Sequence, residues 1–344
     1  SRRIVANIMD VARLAGVSHQ TVSRVLNNEN TVRPQTRARV EDAIRKLRYR
    51  PSSVARALAT RKTHTLGLVS TGNPLYGPAS IALAFNGAAR ESGYQVITAS
   101  MADADRDEIL QAVDVLLRHQ VEAIVLIASD YSSIEAIDGL ELDIPLVTAD
   151  SSGHGSFLSV SIDQFRGAEL ATSYLADLGH RSILHLAGPK GSLDARERER
   201  GWQSEMVRRG LPVGRAHHGD WTADSGRAIG ERLMEEGDFT AVFVANDQMA
   251  LGLLHALADH GIAVPSAVSI VGFDDIPEAA HFFPPLTTIR QDFTELGQRI
   301  MGTVLSVLDG RVVAVPAKTS PRLIERASAA QIRPGIRMPG TQAE

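Results

Sequence analysis

The sequence predicts an all-α head followed by an α/β core of two parallel-sheet lobes. Three observations predict this. First, residues 1–62 carry 14 Lys and Arg against 4 Asp and Glu, a net +10, whereas the remainder carries 22 against 36, a net −14. Second, from residue 65 short aliphatic runs alternate with helix-like segments, the pattern of parallel strands covered by helices on both faces. Third, the alternation comes as two series of a little over a hundred residues each. A chain of 344 residues is long enough for two or three domains.

Composition narrows the class. Hydrophobic residues make up 44 % and charged residues 22 %, values of a folded chain with a sizeable core. The absence of cysteine excludes disulfides, thiolate metal sites and cysteine nucleophiles, and fits a reducing cytoplasm. No apolar run reaches the length of a membrane span, and SRRIVANIMD (1–10) shows no signal-peptide core, so a cytoplasmic protein is expected. A basic head on an acidic body points to a polyanionic partner, most simply nucleic acid.

In the head, Asn7 precedes the apolar positions Ile8, Val11, Ala12 and Ala15, with Asp10 three residues on, which predicts a capped helix. Gly16 supplies a tight turn, and Ser18 can cap a second helix through Val22, Val25 and Leu26. DVARLAGVSHQTVSRVLN (10–27) therefore reads as a helix-turn-helix, whose second helix enters the major groove. His19, Gln20 and Arg24 are placed to meet base edges, Gln with adenine and Arg with guanine. Ser18, Thr21, Ser23 and Asn27 can bond phosphates. Pro34 opens a third helix with Val40, Ala43, Ile44 and Leu47 on its apolar face. PSSVARALAT (51–60) has helical character but only about two turns, too short to be stable alone in water. Leu58 is then either a wedge in the minor groove or an ordinary buried linker residue.

In the core, strands are expected at 65–71, 95–101, 121–129, 144–150, 182–188, 241–247 and 269–275, and helices at 79–92, 105–119, 165–178, 195–209 and 248–260. Ligands of such folds bind beyond the carboxyl ends of the strands, here in a cleft between lobes. Asp150, Asn246, Asp247, Asp274 and Asp275 lie at strand ends, and Arg198 follows LAGP (186–189). Carboxylates, an amide and a guanidinium can bracket vicinal hydroxyls with paired hydrogen bonds, while Trp221 and Phe293 offer flat apolar faces to a pyranose.

Catalytic readings find little support. The chain has no GxxxxGK[ST], HExxH or GxSxG motif, and neighbouring Asp274 and Asp275 on a strand would point to opposite faces. His217, His218 and the other histidines lack metal-ligand spacing. No enzyme activity, cofactor or metal is expected. A transport-type sugar-binding protein has no use for the basic head.

From residue 7 to about 326 the chain resembles the LacI family of bacterial regulators. The head motif 10–27 carries the resemblance, together with LAGPKGSLDARERERGW (186–202), VANDQMALG (244–252), VGFDD (271–275) and PPLTTIRQDF (284–293). It implies a helix-turn-helix head at 1–50, a hinge helix and linker at 51–62, and a core of periplasmic-binding-protein type at 63–330. The core's N-lobe would take about 63–162 and 291–320, its C-lobe about 163–290 and 321–330, with a flexible tail at 331–344. It adds Arg33, Thr36, Tyr49 and Ala55 to the DNA-contact candidates. It places Leu75, Tyr76, Pro78, Asp150, Arg198, Trp221, Asn246, Asp274, Gln291 and Phe293 around an effector. The partners implied are operator DNA, a sugar effector (a galactoside or other disaccharide) and a second copy of the chain. Trp221 favours a sugar, by analogy; a purine or other metabolite acting as co-repressor is the alternative. Residues 327–344 hold Pro334, Pro339 and two glycines without leucine heptads, which argues for a dimer rather than a coiled-coil tetramer.

Overall fold

The computed structural model describes residues 6–27, 31–49, 62–71, 75–101, 105–151, 158–236, 239–314 and 318–332. Ala55, Leu58, most of the expected hinge and nearly all of the tail lie outside the described residues. The chain divides into two compact units between His64 and Thr65.

The first unit contains three helices among the described residues, α1 (Ile8–Ala15), α2 (His19–Leu26) and α3 (Pro34–Leu47). Asn7 caps α1 reciprocally: its Oδ1 accepts from the Met9 and Asp10 amides at 2.8 and 3.1 Å, and its own amide donates to Asp10 Oδ2 at 2.9 Å. Gly16 ends α1 at φ 64°, the left-handed turn that glycine adopts without strain. Ser18 caps α2 through the Thr21 amide at 3.2 Å, and Pro34 starts α3 where a missing N–H is harmless. Val11, Ala12, Ala15, Val22, Val25, Val40 and Ala43 form the buried core of this small unit.

The second unit contains two sheets. The first has the order β2-β1-β3-β4-β5, all parallel: β1 (Thr65–Thr71), β2 (Gln95–Met101), β3 (Ile124–Ile127), β4 (Leu146–Ala149) and β5 (Leu158–Val160). Its helices are α4 (Tyr76–Glu91), α5 (Arg106–Arg118) and α6 (Tyr131–Ile137). Strand β1 shows why it reads as a continuous apolar run: Leu66 and Leu68 pack with Phe85 on one face, and Val69 with Ile109 and Leu116 on the other.

The second sheet has the order β11-β10-β9-β8-β6-β7, parallel except for β11. Its strands are β6 (Ile183–Ala187), β7 (His217–His218), β8 (Ala241–Val244), β9 (Ser269–Asp274), β10 (Thr287–Arg290) and β11 (Arg322–Ile324). Helices α7 (Gln164–Asp177), α8 (Leu193–Arg208), α9 (Ala223–Glu236) and α10 (Asp247–Asp259) accompany it. Along β8, Val242 and Val244 face one buried cluster and Ala241 and Phe243 the other. Helix α11 (Phe293–Leu308) leaves this sheet and packs Leu296, Ile300, Met301 and Val304 into the core of the first lobe. The chain then returns as β11, so both lobes are built from discontinuous segments.

Several boundaries differ from the sequence reading. The expected strand 241–247 stops at Val244, because Asn246 caps α10 through the Met249 amide at 2.9 Å. The expected strand 121–129 shortens to Ile124–Ile127, and 144–150 to Leu146–Ala149. Helix α4 starts at Tyr76 rather than 79, since Pro78 falls in its first turn, where proline is tolerated.

His185 on β6 is fully buried between Trp202 and the stacked ring of Phe243, with ring centroids at 5.3 and 4.7 Å. Its Nδ1 pairs with the Phe243 carbonyl oxygen at 3.0 Å, and burial pulls its pKa down to about 3. The native ring therefore stays neutral where the unfolded chain is protonated. The resulting stability is complete above pH ~6.5 and is lost as pH falls toward 3. His185→Leu is expected to flatten the acid side of the stability profile, read as urea midpoints at a series of pH values. An unchanged slope would contradict this account.

Candidate functional site

The head presents α2 as its polar face. Val22 and Val25 anchor it to the core, leaving His19, Gln20, Arg24 and Asn27 exposed. The Ser18 and Thr21 hydroxyls lie 3.0 Å apart, so the cap also orients Thr21. Ser23 and Thr36 are half-buried, and Arg33 is exposed at the cap of α3. Tyr49 is half-buried and packs against the head core.

In the second unit, ten separated positions converge between the lobes. One chamber is lined by Pro78, Asp150, Gln291 and Phe293, and by Ser129, Ser151, Gln164 and Asp194. Another is lined by Leu75, Tyr76, Pro78, Arg198, Trp221, Asn246 and Asp274, with Ser129, Ser192 and Asp194. The structure thus brings all ten effector candidates of the sequence together. Gln164, Asp194 and the serines were not singled out from sequence; Gln164 opens a helix and Asp194 sits in a first turn, positions where polar residues are ordinary.

The centre is a closed ring of four buried side chains. Arg198 Nε donates to Gln164 Oε1 at 2.9 Å, Gln164 Nε2 to Gln291 Oε1 at 2.8 Å, and Gln291 Nε2 to Asp274 Oδ1 at 2.7 Å. Asp274 Oδ1 closes the ring 3.5 Å from Arg198 Nη2. Arg198 Nη1 also donates to the Ala245 carbonyl oxygen, and the guanidinium lies 3.8 Å from the Phe273 ring centroid. With no rotamer freedom left, these groups form a preorganised polar wall.

The backbone around Asp274 is strained: Asp274 and Asp275 have φ of 111° and 54°. Two neighbouring carboxylates hold that turn. Asp275 accepts from Arg290 Nε at 2.5 Å and Arg326 Nη2 at 2.6 Å. Asp247 accepts from the Ile276 amide at 2.9 Å and the Thr288 hydroxyl at 2.6 Å. Asp274 and Asp275 thus serve different partners and form no acid pair.

Trp221 is wedged against Gly188, where an added Cβ would lie 2.4 Å from the indole. The Trp221 carbonyl oxygen accepts from Asn246 Nδ2 at 3.0 Å, fixing loop and amide together. Phe293 meets Tyr76 edge-on at 5.8 Å. At the rim the lobes are tied by backbone: the Leu193 amide donates to Ser129 O at 3.1 Å, and the Tyr131 amide to Gly191 O at 3.3 Å.

Burial raises the pKa of Asp274 to about 6, opposed by Arg198 and by the Gln291 hydrogen bond. Hydroxyl donors of a ligand bind the ionised form. Ligand affinity is therefore expected to be steady above pH ~6 and to fall by up to about tenfold per unit below it. Calorimetric titrations between pH 5 and 8 would show this, and a flat profile would exclude Asp274 as a hydroxyl acceptor.

Residues 7–52 match the profile of bacterial regulatory proteins of the lacI family, and residues 172–329 match the periplasmic binding protein-like domain. The chain is 34 % identical over 308 residues to the lactose operon repressor of Escherichia coli K12, covering 89 % of this chain and 86 % of that protein. The protein is a member of the LacI family. Another LacI-family relative, the transcriptional repressor PurR of Actinobacillus pleuropneumoniae serotype 5b, is 33 % identical over 93 % of this chain and 95 % of its own length. Among solved structures, the lac repressor dimer bound to operator and the anti-inducer ONPF superimposes with a TM-score of 0.86 at 32 % identity, covering 94 % of this chain and 99 % of that one. The fold is that of the lac repressor: a helical reading head and two sheets of mostly parallel strands with helices. No helix among the described residues is long and apolar enough to cross a membrane.

Proposed function

We propose that this LacI-family protein is a sequence-specific transcriptional repressor of sugar-utilisation genes that a sugar, a galactoside or other disaccharide, releases from its operator. The observation that carries this reading is the buried Arg198–Gln164–Gln291–Asp274 ring beside Trp221, whose ring centroid lies 5.5 Å from the Arg198 guanidinium, in a chain that also carries a basic reading head. The ring supplies fixed acceptors and donors for vicinal hydroxyls, and the aromatic faces cover the apolar side of a pyranose. Residues 1–50 read DNA, 51–62 link the head to the core and fold against the groove, 63–330 bind effector and dimerise, and 331–344 form a tail. Ser18, His19, Gln20, Thr21, Ser23, Arg24, Asn27, Arg33, Thr36, Tyr49, Ala55 and Leu58 contact the operator. A protein acting on operator DNA works in the cytoplasm, and repression involves no enzymatic step.

Dimerisation is supported by large apolar side chains left on the surface of the core: Leu83 on α4, Leu251 on α10, and Phe283, which is 97 % exposed. Two heads held at a fixed spacing read a near-palindrome. Effector binding favours a lobe arrangement that separates the hinges, so sugar and operator compete through a population shift.

The test is operator binding by fluorescence anisotropy, on a site selected by this protein from a randomised palindrome pool, with a panel of β-galactosides, other disaccharides and purines. Release by a sugar supports the reading. Tightening by a purine would replace it with co-repression.

A further inference from the structure

We infer that the cleft selects uncharged sugars over anionic ones, and that Asp194 sets this selection. The inference rests on the effector reading above and names the chemical class of the ligand. Among the described residues that line the two chambers, Arg198 is the one cation of the Lys and Arg type, against the carboxylates of Asp150, Asp194 and Asp274. That cation is already flanked by carboxylates. Its Nε serves Gln164, its Nη1 serves the Ala245 carbonyl oxygen, and its Nη2 faces Asp274 at 3.5 Å and Asp194 at 3.9 Å. A carboxylate or phosphate on a sugar would enter among like charges, beside a guanidinium whose charge two carboxylates already offset.

Asp194 is the carboxylate that both chambers share. It lies in the first turn of α8, and its side chain is 40 % exposed, against 7 % for Asp274. Its Oδ1 accepts from the Ser151 hydroxyl of the opposite lobe at 2.5 Å, which fixes it facing the space between the lobes. Asp274 is occupied within the ring, so Asp194 is the carboxylate an incoming anionic substituent meets from either chamber. A hydroxyl there gains an acceptor, and an ammonium group gains a counter-charge. A carboxylate or phosphate meets repulsion at a few ångströms, in surroundings less screened than bulk water.

The test uses the full chain and matched sugar pairs: methyl β-galactoside with methyl β-galacturonide, and glucose with glucose 6-phosphate. Binding is read calorimetrically and by the change in tryptophan fluorescence. The expected result is that, for each neutral sugar that binds, the anionic partner binds on the order of 100-fold more weakly. The quantity that reports on Asp194 is the ratio of the two affinities, whatever loss both share. Asp194→Asn, which keeps the shape and the Ser151 acceptor, narrows the ratio about tenfold, whereas Asp194→Glu keeps it wide. An anionic sugar that binds wild type as well as its neutral partner would overturn the inference. So would a ratio unmoved in Asp194→Asn. Failure of every sugar, neutral and anionic, would overturn the effector reading itself, a different result from equal binding of both.

Discussion

Replacing Arg198 by alanine is expected to abolish the effector response while leaving operator binding in place. The side chain is 4 % exposed and bonds in three directions, to Gln164, the Ala245 carbonyl oxygen and Asp274. Its loss breaks the ring at two points and leaves Asp274 buried beside Gln291 without a counter-charge. Removing one partner of a buried pair costs about 3–5 kcal/mol. Part of that cost will appear as lower stability of the C-terminal lobe, and part as an effector affinity lowered by roughly two orders of magnitude or more. Arg198→Lys keeps a charge but cannot make the same planar set of bonds, so it should rescue stability better than binding. Anisotropy with operator and sugar together with thermal denaturation separates the two effects. An Arg198→Ala protein that still releases DNA at wild-type sugar concentrations would remove the ring from the mechanism.

The second large effect lies in the head. Gln20 and Arg24 are exposed on α2, whose inner face is pinned by Val22 and Val25. A good two-point contact to a base contributes about 1–3 kcal/mol of discrimination. A dimer makes each contact twice, so Gln20→Ala or Arg24→Ala is expected to lower operator affinity by roughly 30-fold to 10⁴-fold and to relax base preference at one symmetric position. Asn27→Ala, a phosphate-type change, should instead weaken all sequences alike. Binding to a library of singly substituted operators distinguishes the patterns. Equal loss on every sequence for Gln20→Ala and Arg24→Ala would show that these residues position the head without reading bases.

Legibility in the sequence followed burial. Strand β1 spans the residues expected because a strand covered on both faces is a continuous apolar run, while β2, an edge strand that keeps Gln95, Thr98 and Ser100 exposed, stands out through its β-branched Val96 and Ile97. Strands β5, β7 and β11 have three, two and three residues, too few for any periodicity to show. Helix α11 is strongly amphipathic, yet nothing in its own residues says which lobe it joins; the family resemblance places 291–320 with the N-lobe, and the helix packs there, where Gly297 lets it approach the Ala84 backbone. In the site, Asp150, Asn246 and Asp274 stood out because strand ends are where such folds bind ligands. Gln164 and Asp194 did not, because their roles exist only through space. The Gln164–Gln291 bond spans 127 positions, and no local pattern encodes it.

In the proposed switch, the cleft and the reading head are the two coupled sites. The most direct test is the effector's dissociation constant, measured by titration with and without saturating operator DNA. The account predicts weaker effector binding on DNA, by the same factor by which effector weakens operator binding, since coupling between two binding equilibria is reciprocal. Equal effector affinity in both titrations would contradict it, leaving a DNA-binding protein and a sugar-binding protein in one chain with no switch between them.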